Sequence, residues 1–231
     1  MLPPWQSGWA PRSWAWARSY LVSPETAKLL ALKESILQET SDAMLFLSAQ
    51  ADKDIADMDM IVTATSGAGK KVLDIMRVKP GCVITDVARP LDLPASEVAK
   101  RPDVLVIESG EIQLPGDVQI KNIGLPQGVV YACLAETIVL ALEGRFENFT
   151  VGRAIEWEKV REIYKLGLKH GMKLAAISGV NGPFSDEEIK RVRELALAAR
   201  AQKTAQAVKT GHPVKVAARK HKTTPSPSPT P

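Results

Sequence analysis

Five short apolar runs, each followed by a break, constrain this chain more than any other feature. They are Tyr20–Ser23, Met44–Ala49, Met60–Thr65, Cys82–Val87 and Val104–Glu108. Most run apolar without a period-2 alternation, and Val, Ile, Leu and Thr dominate several of them. Continuous apolar strands belong to a parallel sheet buried on both faces, and strands separated by helical connections belong to a doubly wound order. The expected fold class is therefore α/β, with a mainly parallel sheet followed by C-terminal helices.

The connections support this. Ser23 is a good N-cap, with Pro24 at the first helical position and Glu25 in the first turn. A helix to about Glu39 should bury Leu29, Leu32 and Ile36. Asp52–Asp57 reads as a short connection or helical turn, Lys70–Arg77 as a short helix and Ser96–Lys100 as one helical turn. Glu111–Gly128 is a loop region or hairpin punctuated by Pro and Gly. The stretch 128–144 then runs from a glycine turn into strong helix formers, with Cys133 in or just before the first turn. Ile155–His170 should be a helix with Trp157, Val160, Ile163, Tyr164, Gly167 and Leu168 near one face, and Gly171 is a natural residue to end it. Ser185-Asp-Glu-Glu188 is a capping box opening a last helix to about Gln202, with Ile189, Val192, Leu195 and Ala199 inward.

Three regions are expected: an atypical Trp-, Pro- and Arg-rich segment at 1–19, a folded part at 20–202, and a basic Pro/Ser/Thr tail at 203–231 without apolar residues enough to bury. After Glu194 there are seven Lys and Arg and no acid, so the net charge of +4 belongs to this tail while the body is mildly acidic. A tail of that kind is solvated and disordered, or makes weak contacts with an anionic partner. Two cysteines, Cys82 and Cys133, are too few for a disulfide framework and point to a reducing, cytoplasmic setting. No apolar run reaches the roughly 18 residues a membrane span requires.

Ligands of open parallel sheets bind beyond the carboxyl ends of the strands. Ser23 and Glu25, then Thr65, Ser66 and Gly67, then Asp86 and Arg89, then Gly110, fall at such ends. Glycine at Gly67 lets backbone approach a phosphate or ribose, though an ordinary turn explains it equally. Gly67–Lys70 is not a P-loop, because Ala64 stands where the first glycine is needed and Lys71 where Ser or Thr is needed. Asp86 can orient a ligand or simply hold a turn. Arg89 can pair with an anionic group of a substrate or with a surface carboxylate. Cys133 is a nucleophile activated by its helix N-terminus or a small buried hydrophobe, and packing is the commoner fate of a free cysteine. Glu136, one helical turn on, and His170 are its candidate acid–base partners, against the simpler roles of an exposed helix carboxylate and a helix C-terminal cation.

From Tyr20 to about Ala176 the chain resembles the cofactor-binding part of long-chain acyl-(acyl carrier protein) reductases. Tyr131-Ala-Cys-Leu-Ala-Glu136 carries the resemblance, followed in order by Leu142-Glu-Gly144, Asn148-Phe149, Gly152-Arg153 and His170-Gly171. Ile61–Ser66 is similar to a strand of the wider shikimate dehydrogenase type of Rossmann domain. The resemblance implies a Rossmann-like sheet, NADPH (or NADH) lying across Ser23–Glu25, Thr65–Gly67, Asp86 and Gly110, and Cys133 as the residue that accepts an acyl group from a thioester. It implies an NAD(P)-dependent oxidoreductase releasing an aldehyde, with a small-molecule or carrier-bound acyl substrate; a homo-oligomer stays open. A non-covalent shikimate-type dehydrogenase, or a catalytically silent fragment or interaction module, are the alternatives. The chain departs from the pattern at its start. The first Rossmann strand and its Gly-x-Gly-x-x-Gly loop are absent, and 1–19 occupies their place. Its composition reads like GC-rich DNA translated out of frame, which predicts a truncated gene whose other frames encode a glycine-rich loop just before Tyr20.

Overall fold

A computed structural model describes residues 18–39, 44–65, 72–152 and 155–209. The chain has a Rossmann-like α/β fold with a mainly parallel arrangement of its longer strands. It divides into two compact units, 1–54 with 198–231, and 55–197. Ser66 and Gly67, most of the tryptophan-rich start and the end of the tail from 210 onward lie outside the described residues.

The first unit holds β1 (Arg18–Val22), α1 (Thr26–Glu39) and β2 (Met44–Ser48). β1 and β2 pair in parallel, and Tyr20 sits opposite Phe46 with their rings stacked 4.9 Å apart. The Ser23 hydroxyl accepts the Glu25 N–H, two residues on, at 3.2 Å, the capping bond expected of an N-cap serine. Leu29 is buried as expected, but Leu32 is 47% exposed. Spacing does not fix which apolar positions a neighbour covers, and one half-covered apolar residue on a helix is ordinary.

The second unit is built on β3 (Met60–Thr63), β4 (Val83–Asp86) and β5 (Leu105–Glu108). These three pair in parallel, Met60 opposite Val83 and Val83 opposite Leu105. Two short strands missed in the sequence, β9 (Ser178–Gly179) and β10 (Gly182–Pro183), extend this sheet antiparallel from β5. Ile84, Cys82, Ile75 and Leu93 are buried in this unit, and the helical turn expected at Ser96–Lys100 is α2 (Ala95–Val98). The expectation of cover on both faces fails at β3: Met60 and Val62, which share one face, are 62% and 60% exposed, while Thr63 on the other face is buried. The helix expected at Lys70–Arg77 is, in its described part, a single 3-10 turn at Ile75–Arg77, where the Asp74 carboxylate takes the Met76 N–H at 3.3 Å. Val78 is already extended, with φ −71° and ψ 138°, so the helix stops after this turn.

A second, antiparallel sheet carries the candidate site. β6 (Glu111–Gln113) pairs with β7 (Val129–Tyr131) on one side and β8 (Lys173–Leu174) on the other. The Glu111–Gly128 region is thus strand β6 followed by the long loop of a hairpin. β7 leads directly into α3 (Ala132–Leu142). Ala135 and Val139 of α3 pack with Val130, Leu114 and Met172, and Ile163 and Leu166 of α4 (Trp157–Lys169) close over them. Burying each of Val130, Val139, Leu114 and Met172 contributes about 1.5–3 kcal/mol. The apolar stripe of α4 is wider than its buried face: Trp157, Val160 and Tyr164 are about half exposed, and the inward side is Ile163 and Leu166. The helix ends at Gly171 in a Schellman motif, with Gly171 N–H on Leu168 C=O at 3.0 Å and Met172 N–H on Gly167 C=O at 2.9 Å.

The last helix, α5 (Asp186–Lys209), runs seven residues past the expected end at Gln202. Lys203, Ala205, Gln206 and Ala207 are good helix formers, and their basic, polar composition says little against a helix. Its capping box is present: Ser185 Oγ accepts the Glu188 N–H at 3.2 Å and Glu188 accepts the Ser185 N–H at 2.8 Å. Val192 is buried, whereas Leu195 is 36% exposed because Ala196, one residue on, takes the contact position against Gly81.

Candidate active site

The carboxyl ends of β4 and β5 and the start of α3 meet around one cavity of about 460 Å³. Val87, Arg89, Ser109, Gly110, Tyr131, Ala132 and Cys133 line it. Each wall is held by backbone chemistry. Asp86, at the end of β4, is buried, and its carboxylate accepts the Ala88 and Leu93 N–H groups, both at 3.0 Å. This folds 87–93 into a closed loop that presents Val87 and Arg89. Beyond β5, the Ser109 N–H bonds the Asp86 carbonyl at 3.1 Å. Gly110 then accepts the Ala132 N–H at 2.7 Å, which fastens the end of β5 to the first residue of α3.

Cys133 is the second residue of α3 and is exposed. It is therefore not a core residue. No side chain caps this helix: Tyr131 occupies the N-cap position without a side-chain bond. The first-turn N–H groups of an α-helix have no partner within it, and their dipoles favour negative charge nearby. The thiol thus stands at a helix start whose backbone donors are not taken by a capping side chain. Cys82 has the opposite environment. It is fully buried, and burial pushes its thiol up to about 11, against the smaller opposing effect of Lys79.

Arg89 is the one charged side chain among the described residues lining the cavity. Its guanidinium donates to the Ala88 carbonyl at 2.9 Å and the Ser109 carbonyl at 3.1 Å, and lies 5.6 Å from the centre of the Tyr131 ring. Glu108 is 3.9 Å away, too far for a hydrogen bond. Glu111 stands opposite Tyr131 on β6. Burial, then the Glu108 charge, raise its carboxyl above the usual range, and Arg89 works against them.

Part of this chain is similar to known enzymes. Over 116 residues it is 40% identical to the aminotransferase PigE of Serratia, a stretch covering 48% of this chain and 13% of that protein. Over 130 residues it is 28% identical to a long-chain acyl-(acyl-carrier-protein) reductase of Synechococcus elongatus, covering 54% of this chain and 38% of the reductase. The chain therefore spans well under half the length of either relative. No protein-family profile matches it.

Of the residues singled out in the sequence, the cavity brings Cys133 and Gly110 together, with Asp86 holding the loop beneath Arg89. Both Asp86 oxygens are taken by backbone donors, so its work is to shape the wall. Thr65 is tied to the buried Asp92, through its N–H at 3.0 Å and its hydroxyl at 2.5 Å. Glu136 and His170 are not among the lining residues. Glu136 accepts from the Thr150 N–H at 3.2 Å and from the Thr150 hydroxyl, and His170 Nε2 meets Glu143 at 2.5 Å. Ser23 and Glu25 belong to the first unit, where Ser23 caps α1 and Glu25 pairs with Lys28. Val87 and Ser109 fall in the strand-end stretches 86–90 and 109–110 where a ligand is expected, whereas Tyr131 carries no such expectation. The usable signal was position: each lies within a residue or two of a strand end.

Proposed function

We propose that this chain is an NAD(P)-dependent reductase of acyl thioesters, with Cys133 as the nucleophile that takes the acyl group. The observation carrying this is the exposed thiol at the start of α3, in one cavity with Gly110 and Arg89 beyond the carboxyl ends of two parallel strands. The partial similarity to an acyl-(acyl-carrier-protein) reductase supports the same reaction class.

Cys133 Sγ attacks the thioester carbonyl carbon, and the carrier leaves as its thiol with the proton that Cys133 gives up. The oxygen that gains charge in this step is stabilised by first-turn N–H groups of α3, as oxyanions are elsewhere. A nicotinamide fits this cavity on one structural ground: Gly110 forms part of the wall, and the space its Cβ would fill is open. Val87 and Gly110 would hold the ring beside Cys133. NADPH, when bound, supplies the hydride that, with a proton, releases the acyl group as an aldehyde and restores the thiol. Glu136 and His170, bonded to Thr150 and Glu143, support α3 and α4 instead of exchanging protons with Cys133.

The test is a pair of measurements on the wild type and Cys133→Ser. NADPH fluorescence should titrate with both proteins, and thioester-dependent aldehyde should form only with the wild type. Aldehyde formation surviving in Cys133→Ser would favour a non-covalent dehydrogenase. Absence of NADPH and NADH binding would remove the redox assignment.

A further inference from the structure

We infer that Arg89 makes the Cys133 cavity selective for a negatively charged oxygen, which it holds while the thiol reacts. This rests on the proposed role of Cys133 as the reacting group and adds the group that recognises its partner.

Three observations combine. Arg89 and Cys133 line the same cavity, whose volume of about 460 Å³ is that of a single small-ligand site. The other described walls, Val87, Ser109, Gly110, Tyr131 and Ala132, carry no charge. The guanidinium is also fixed in place. One nitrogen donates to Ala88 O and another to Ser109 O, and the face of Tyr131 lies 5.6 Å off. A guanidinium has five N–H donors in a rigid fork, so two anchoring bonds leave three. Glu108 at 3.9 Å makes no hydrogen bond to it, and both side chains are partly exposed, so this pair is weak. Glu111, facing the same group from β6, has a carboxyl whose ionised form is disfavoured by burial. The remaining donors are thus preorganised for an oxygen anion.

Two sources offer such an oxygen: a carboxylate carried permanently by the ligand, and the oxyanion formed when Cys133 attacks a carbonyl. The experiment separates them. Cys133 is alkylated with iodoacetate and with iodoacetamide in the wild type, Arg89→Met and Arg89→Lys, and the rate ratio of the two reagents is taken against a free thiol. Acyl transfer to Cys133 from a neutral aryl thioester is timed in the same proteins. A ligand carboxylate predicts an iodoacetate preference that falls about tenfold in Arg89→Met and is partly kept in Arg89→Lys, given the strength of a charged hydrogen bond. An oxyanion predicts an unchanged ratio with slower acylation in Arg89→Met, again partly restored by lysine. If neither the ratio nor the acylation rate moves, the inference is overturned. Arg89→Gln, neutral but able to donate to Ala88 and Ser109, replaces Arg89→Met if the latter unfolds. Alkylation reads the cavity even where no aldehyde is formed, so failure of the reductase assignment leaves this test intact.

Discussion

Two cysteines of the same chemistry meet opposite fates here, and the difference is solvation. Cys82, just before β4, is fully buried, and burial raises its pKa from an ordinary 9.0 to about 11. Its folded value lies above its unfolded one, so its contribution to stability is whole below about pH 9 and is lost as pH rises towards 11. Urea unfolding at steps across that window should show wild-type stability falling more steeply than that of Cys82→Ala, by at most about 3 kcal/mol across the range. Parallel curves would show that the thiol is not desolvated. Gly81, next in sequence, has φ +81°, and a Cβ there would lie 2.3 Å from Ala196 N of α5. Gly81→Ala should therefore cost about 3 kcal/mol, from left-handed backbone strain plus overpacking, read as a lowered midpoint in chemical denaturation. The roles of such residues were only partly legible in the sequence. That a cysteine lay at the head of a helix could be seen from Tyr131–Glu136. That it was exposed depended on how α3 packs, and that Gly81 touched α5 depended on an approach between residues more than a hundred positions apart.

At the scale of elements, local chemistry predicted what local chemistry controls. The Ser185–Glu188 capping box and the Gly171 stop are both present, because caps are made from residues within a few positions of each other. Ser185→Ala should destabilise the protein by about 1 kcal/mol, measured by urea unfolding, since it removes a bond to an otherwise unpartnered N–H. No change would mean that the start of α5 is held by packing alone. What the sequence could not show was which side of an apolar stripe is buried. On α4, Trp157, Val160 and Tyr164 satisfy the helical period as well as Ile163 and Leu166 do, yet only the latter two close over α3. Strands of two residues, such as Ser178–Gly179 and Gly182–Pro183, carry no periodic signal, so β8, β9 and β10 were invisible before the structure.

For the molecule as a whole, the parallel α/β class was readable from five apolar runs, and all five became strands. Their partition was not: β1 and β2 form one sheet while β3, β4 and β5 form another. Pairing is a long-range property, decided by which edges meet, and composition does not encode it. No described helix is long and apolar enough to cross a membrane. The second unit alone assembles the cavity from β4, β5, β7 and α3, and it is there that the proposed chemistry must take place. Its most direct test is peptide mass spectrometry after mixing the protein with an acyl thioester in the absence of nicotinamide cofactor. One acyl adduct on the peptide containing Cys133, absent from Cys133→Ser and from the Cys82 peptide, is the expected result. A protein that forms aldehyde with no adduct at Cys133, or one acylated equally well after Cys133→Ser, would contradict it.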